Sequence, residues 1–218
     1  MVLKGKTILF LGDSITEGMG ASDVSKCYVS LIADEEGADC INYGISGTRI
    51  ARQRKPSEDP KHDLDFLSRV PKMQEKADCI VVFGGTNDFG HGDAPLGTFE
   101  DRSPYTFYGA LHLLYIALIE KYPDAHIVVI TPLHRLMEED ACGSVQKETP
   151  TTDLKGYVEI IRQVAQYYSL PVLDLFATSG LQPSVPVIQE KFLPDGLHPS
   201  DEGYARLAHQ IVRFLKSL

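Results

Sequence analysis

The sequence predicts an α/β fold built on a doubly wound, five-stranded parallel sheet with helices on both faces. Three observations predict it. Short apolar, β-branched runs at 7–11, 40–43, 79–83, 126–131 and 171–175 read as buried strands. Helical patterns at 27–36, 64–75, 103–121, 153–168 and 200–215 lie between and after them, and repeated β-α alternation implies parallel crossovers. Long connections at 44–63, 84–102, 132–152 and 176–198 leave the carboxyl ends of strands. In an open parallel sheet ligands bind outside those ends, and long loops in a compact domain are usually functional.

Each element has local support. The first strand stops at Gly12-Asp13. Pro71 kinks or restarts the second helix, because proline lacks the amide that a helix interior needs. Ser103-Pro104 places a cap residue before a proline at the first helical position, and Pro199-Ser200-Asp201-Glu202 opens the last helix. Tyr122-Pro123-Asp124 is a stop before the fourth strand. No internal repeat, low-complexity tract or linker divides the chain, so residues 1–218 read as one domain.

Composition bounds the function. A chain of 218 residues buries an ample core, and 43% apolar with 23% charged residues is ordinary for a soluble protein. Lys+Arg 21 against Asp+Glu 30 gives a net charge of −9, which offers no electrostatic footprint for nucleic acid. The basic run 49–55 sits beside Glu58 and Asp59 and reads as a solvated loop face. No apolar run reaches membrane-spanning length, and the stretch 8–11 is too short for a signal-peptide core. Cys27, Cys40, Cys79 and Cys142 form no C-x-x-C pair and no zinc spacing, so they read as reduced thiols of a cytoplasmic protein.

Four segments carry chemistry. Gly12-Asp13-Ser14 follows the first strand, where a serine projects into the crevice; taken alone, it is equally a turn or cap serine. A serine hydroxyl is a weak nucleophile until a base sits beside it. Asn42-Tyr43-Gly44-Ile45-Ser46-Gly47-Thr48 follows the second strand, and Gly47 could offer its N–H to a ligand; taken alone, this is a glycine turn. Phe83-Gly84-Gly85-Thr86-Asn87-Asp88 follows the third, and the Asn87 amide suits an oxyanion because it donates without competing for the proton. Asp13 and Asp88 are assigned to local turn hydrogen bonds. Asp195-Gly196-Leu197-His198-Pro199 precedes the last helix, and its spacing can set a carboxylate on the imidazole Nδ1–H, leaving Nε2 to accept a serine proton.

Together and in this order, Gly12-Asp13-Ser14-Ile15, Gly47, Gly85-Thr86-Asn87-Asp88 and Asp195-x-x-His198 resemble the four blocks of the SGNH (GDSL-type) hydrolase family, with Ile15 where the family's common name has leucine. The resemblance spans residues 8 to about 208. It implies a flavodoxin-like α/β/α sandwich and a serine esterase with Ser14 as nucleophile, His198 as base and Asp195 as third triad member. It also implies an oxyanion hole from the N–H groups of Ser14 and Gly47 and the Asn87 side chain, with no metal or organic cofactor.

The expected partner is a small-molecule or carbohydrate ester, short-chain acyl or acetyl, with no nucleic acid and no membrane; a homo-oligomer is compatible with the sequence. His91 is placed at the pocket, whereas His62, His112, His126, His134 and His209 are read as surface or core residues. An acyltransferase of the same fold shares nucleophile and oxyanion hole, and a lysophospholipase or thioesterase differs only in substrate. A nucleotide-binding module would need a phosphate-loop or dinucleotide motif, which is absent. A metal phosphoesterase would need clustered acidic and histidine ligands, for which only Asp13, Asn87 and His198 are at hand.

Overall fold

Strand β1 (Thr7–Gly12) is buried along nearly its whole length because both its edges are paired and both its faces are covered. It pairs with β2 (Asp39–Gly44) on one side and β3 (Cys79–Phe83) on the other; β4 (His126–Ile130) and β5 (Val172–Leu173) continue outward from β3. The order is β2-β1-β3-β4-β5 and every pair is parallel, a flavodoxin-like sheet whose order reverses between β1 and β3. The computed structural model describes residues 1–218 apart from Gln146 and Glu148, which lie in the predicted loop 132–152. Register aligns the strand ends. Gly12 is level with Gly44 and with Phe83, so the segments leaving β1, β2 and β3 start at one height.

Side chains alternate across the central strands and divide the core in two. Leu9, Leu11, Ile80, Val82, Ile127 and Val129 face one layer; Ile8, Phe10, Cys79, Val81, Val128 and Ile130 face the other. Nine α-helices flank the sheet among the described residues: α1 (Ser14–Glu17), α2 (Tyr28–Glu36), α3 (Phe66–Arg69), α4 (Thr86–His91), α5 (Phe107–Lys121), α6 (Leu154–Tyr167), α7 (Leu175–Thr178), α8 (Pro186–Phe192) and α9 (Asp201–Ser217). The first layer is covered by α3, α5 and α6, the second by α2 and α9. In α9 the residues Tyr204, Leu207, Ala208, Ile211, Val212 and Leu215 recur at helical spacing and are all buried. Full burial of each such leucine or isoleucine stabilises by roughly 1.5–3 kcal/mol.

Several expectations are corrected. The run 40–43 is a sheet edge, half-exposed along its length, and β5 is only two residues long, so neither is a buried strand. The predicted helix 64–75 is one turn, α3, followed by a tight turn at Val70–Lys72, because Pro71 cannot supply a helical N–H. The helix predicted from Ser103 starts at Phe107. Thr106 is its cap, through Oγ1 accepting from the Gly109 amide, while the Pro104 carbonyl accepts from the Arg52 N–H. Asp153 and Ser200 cap α6 and α9, each accepting from a backbone amide three residues on.

Candidate active site

Gly12 ends β1 and cannot be replaced without conflict: a Cβ there would lie 1.9 Å from Thr16 Oγ1 and 2.9 Å from the Phe83 carbonyl. The chain therefore turns tightly into α1, which Asp13 caps by accepting from the Ile15 amide at 3.0 Å. Ser14 comes next at the carboxyl edge of the sheet, 5% exposed, its hydroxyl turned to the loop before α9.

That loop holds His198. Its Nδ1 lies 2.6 Å from Asp195 Oδ2 and its Nε2 lies 3.0 Å from Ser14 Oγ. A carboxylate only accepts, so Nδ1 carries the proton and the Nε2 lone pair faces the serine hydroxyl. The other Asp195 oxygen accepts from the Leu197 and His198 amides at 2.9 and 2.7 Å, which closes the turn around Gly196. Burial pushes the Asp195 carboxyl up, but the bonds from the His198 ring and the two amides outweigh it and hold the group below its ordinary value.

Two neighbouring loops fix the height of this turn. The Leu136 amide donates to the Gly196 carbonyl at 2.9 Å. The segment after α1 is tied to α9 by Ser22, whose amide and hydroxyl donate to Asp201, and by the Tyr204 hydroxyl donating to the Met19 carbonyl.

The other two motifs meet each other at the same carboxyl edge of the sheet. Asn87, on α4 just beyond β3, donates through Nδ2 to the Thr48 carbonyl at 3.0 Å, which leaves its second amide hydrogen unused. Gly47 stands with φ +74°, in the left-handed region that glycine adopts without strain. Among the described residues, neither the Ser14 nor the Gly47 N–H has an acceptor.

Asp88 does not act locally, contrary to the sequence reading. Its two oxygens accept from the Ile50 and Ala51 amides at 2.9 and 2.8 Å and so pin the loop after β2 against α4. Burial pushes this carboxyl up to about 6, opposed by the Ala51 and Ile50 amides and by the Arg49 charge. Burial likewise lifts Asp13 to about 7, opposed by the Ile15 amide and Arg69.

Three arginines complete the frame, and no sequence motif signals where they stand. Arg69 donates to the carbonyls of Gly12 and Tyr43 and to Thr48 Oγ1, bridging the ends of β1 and β2. Arg135 donates to the Thr86 carbonyl and hydroxyl. Arg49, expected on a solvated face, is 3% exposed: it binds Asp63, Ser57 and the His62 carbonyl, and donates to His91 Nδ1 at 2.9 Å. His62, read as a surface or core residue, packs its ring against Gly47, where a Cβ would lie 2.3 Å from the ring. His91 lines a cavity of about 790 Å³ next to this cluster. No group of acidic, histidine or cysteine side chains among the described residues could hold a metal, the four cysteines are free, and no described helix is long and apolar enough to cross a membrane.

Fold and site define a flavodoxin-like α/β/α sandwich with Ser14, His198 and Asp195 aligned at the carboxyl edge of its sheet. The chain belongs to the GDSL-like lipase/acylhydrolase family, which matches residues 10–206. An isoamyl acetate-hydrolysing esterase of Schizosaccharomyces pombe is 22% identical over 209 residues, 94% of this chain and 73% of its own. A solved structure of a protein from Lactobacillus plantarum superposes with a TM-score of 0.83 at 29% identity, covering 98% of both chains. The lipase/acylhydrolase of Enterococcus faecalis superposes with a TM-score of 0.68 at 27% identity, covering 97% of this chain and 96% of its own.

Proposed function

We propose that this chain is a serine esterase that hydrolyses short-chain acyl or acetyl esters through an acyl-enzyme. The observation that carries the reading is the line from Ser14 Oγ through His198 to Asp195, at 3.0 and 2.6 Å. Ser14 Oγ attacks the ester carbonyl as its proton passes to His198 Nε2, and the imidazolium is held in place by Asp195. The carbonyl oxygen becomes an oxyanion facing the N–H groups of Ser14 and Gly47 and the free hydrogen of the Asn87 amide. Each such donor lowers the barrier by roughly 3–4 kcal/mol. His198 returns the proton to the departing alkoxide, then takes one from the water that attacks the acyl-enzyme; collapse releases the acid and restores Ser14.

The acyl size depends on which apolar residues are free. Of the apolar loop residues Ile45, Ile50, Phe89, Leu96, Phe99, Leu133, Leu136 and Met137, Ile50, Phe89 and Leu133 belong to the core and Phe99 packs on Tyr108, His112 and Tyr167, which leaves half-buried Ile45 and Leu96 and the exposed Leu136 and Met137. Such a surface buries a few methylenes at about 0.8 kcal/mol each, and further ones stay in water. The S. pombe relative's acetate ester agrees with this size. Arg49 and Arg135 are engaged by Asp63 and Thr86, so neither guanidinium is free to bind a polar alcohol such as a carbohydrate. A series of aryl esters from acetyl to palmitoyl tests the reading. We expect kcat/KM to peak between acetyl and butyryl. A steady rise to lauroyl and palmitoyl would replace it with a lipase or lysophospholipase.

A further inference from the structure

Resting on the esterase reading, we propose that the 790 Å³ cavity lined by His91 receives an anionic arm of the substrate, a carboxylate in the simplest case, with Lys147 and Arg54 as its counter-charges. His91, on the cavity wall, lies on the same short helix as Asn87. It stands four residues after Asn87 on α4 and so on the same face, which puts the cavity wall about one helical pitch, ~5.4 Å, from the amide assigned to the oxyanion. A substrate whose carbonyl sits at Ser14 and Asn87 can therefore extend past His91 into this space.

The polar groups there fit an anion. Arg49, always charged, donates to His91 Nδ1, so the ring is the neutral tautomer with its proton on Nε2, a donor; burial and the Arg49 charge hold its pKa down to about 4. Lys147 is half-buried, and its contacts are uncharged: Thr151 Oγ1 at 3.1 Å, the Tyr157 hydroxyl at 3.4 Å and the Asp88 carbonyl at 3.5 Å. Its Nζ also lies over the Tyr157 ring at 5.5 Å. Among the described residues no carboxylate lies within ion-pair distance of it; burial pushes its pKa down, opposed by the nearby Asp88 charge.

A half-buried ammonium whose hydrogen-bond partners are all uncharged is costly, and an incoming carboxylate lowers that cost. Arg54 donates to the Asp93 carbonyl at 2.7 Å and likewise makes no ion pair among the described residues. Asp93, the acidic side chain among the described residues of the wall, has both oxygens engaged by the amides of Arg54 and Lys55, each at 2.8 Å. Pro95 and Leu96 supply an apolar wall for the body of the arm. Among the described residues of the wall, Arg54, Lys55 and Lys147 outnumber Asp93, a local reversal of sign in a chain of net charge −9.

Paired esters test the proposal, because charge can be carried on either side of the scissile bond. On the alcohol side, para-acetoxybenzoate is compared with neutral para-acetoxybenzamide; on the acyl side, phenyl hydrogen succinate is compared with phenyl butyrate. In at least one pair the wild type should prefer the carboxylate by about tenfold or more in kcat/KM, and 0.5 M salt should shrink the preference severalfold. Lys147→Gln should bring that ratio to about unity, and Arg54→Gln, on a different loop, should lower it too. Equal or poorer turnover of the carboxylate in both pairs would overturn the proposal, as would a preference that survives both substitutions. Failure of the wild type to hydrolyse any of the four esters would instead refute the esterase reading, and this proposal with it.

Discussion

Gly47→Ala tests the oxyanion assignment at its most constrained position. The backbone there has φ +74°, which costs an L-residue roughly 1–2 kcal/mol. The added methyl would also lie 2.3 Å from His62 Cδ2 and 2.5 Å from its Nε2, so the ring or the loop must shift by about 1 Å to reach ordinary contact. His62 yields poorly at its backbone, because its carbonyl accepts from Arg49, which is itself tied to Asp63 and His91. If the loop moves, the Gly47 N–H leaves the place proposed for it in the oxyanion hole. We expect kcat on an aryl acetate to fall by about 10²-fold or more with KM changed by less than about threefold. Urea unfolding should show a loss of at least roughly 1–2 kcal/mol. Adding His62→Ala removes the clash and keeps the strained φ, so part of the stability should return. A Gly47→Ala enzyme with kcat within about threefold of wild type would show that the Gly47 N–H does not serve the oxyanion.

Two further outcomes rest on the same geometry. Asn87→Ala should lower kcat by on the order of 10²–10³-fold at nearly constant KM, since the amide meets only developing charge; a raised KM with kcat intact would make Asn87 a ground-state contact instead. Asp13 rises from 3.8 to about 7 on folding, so it contributes stability below about pH 4 that is lost as pH climbs through about 7. Asp13→Asn stays neutral throughout. Between pH 4 and 8 its stability should therefore gain on wild type by on the order of 4 kcal/mol, read from urea unfolding at each pH. Parallel profiles for the two proteins would show that Asp13 is not held in this way.

The sheet was legible because its signals are local. Cys79–Phe83 is an unbroken apolar run and is buried on both faces, and Asp153 and Ser200 cap helices as their sequence context requires. Edges were not legible, since an apolar run does not say whether a neighbour covers it: β2 reads like β1 and is half-exposed. Ser103-Pro104 and Thr106 both suit a helix start, and the Arg52 amide bonding the Pro104 carbonyl decides between them. Three motifs marked the strand ends after which Ser14, Gly47 and Asn87 stand, and the fourth marked the loop before α9 that holds His198. What sequence reading missed is long-range and polar. Asp88 holds amides 37 and 38 residues away, Arg49 is buried in a ring of partners, and His62 lies on Gly47. Nothing in a run of Arg, His and Lys distinguishes a solvated face from a buried network. Only the fold sets which partners arrive.

Ser14 as a nucleophile made reactive by His198 is tested most directly by labelling with a fluorophosphonate and mapping the modified peptide. We expect one modified residue, Ser14, in the wild type, labelling slowed by at least about 10²-fold in His198→Ala, and none in Ser14→Ala. A label on another serine, or a folded Ser14→Ala protein that hydrolyses aryl acetate within about tenfold of the wild-type rate, would contradict the assignment.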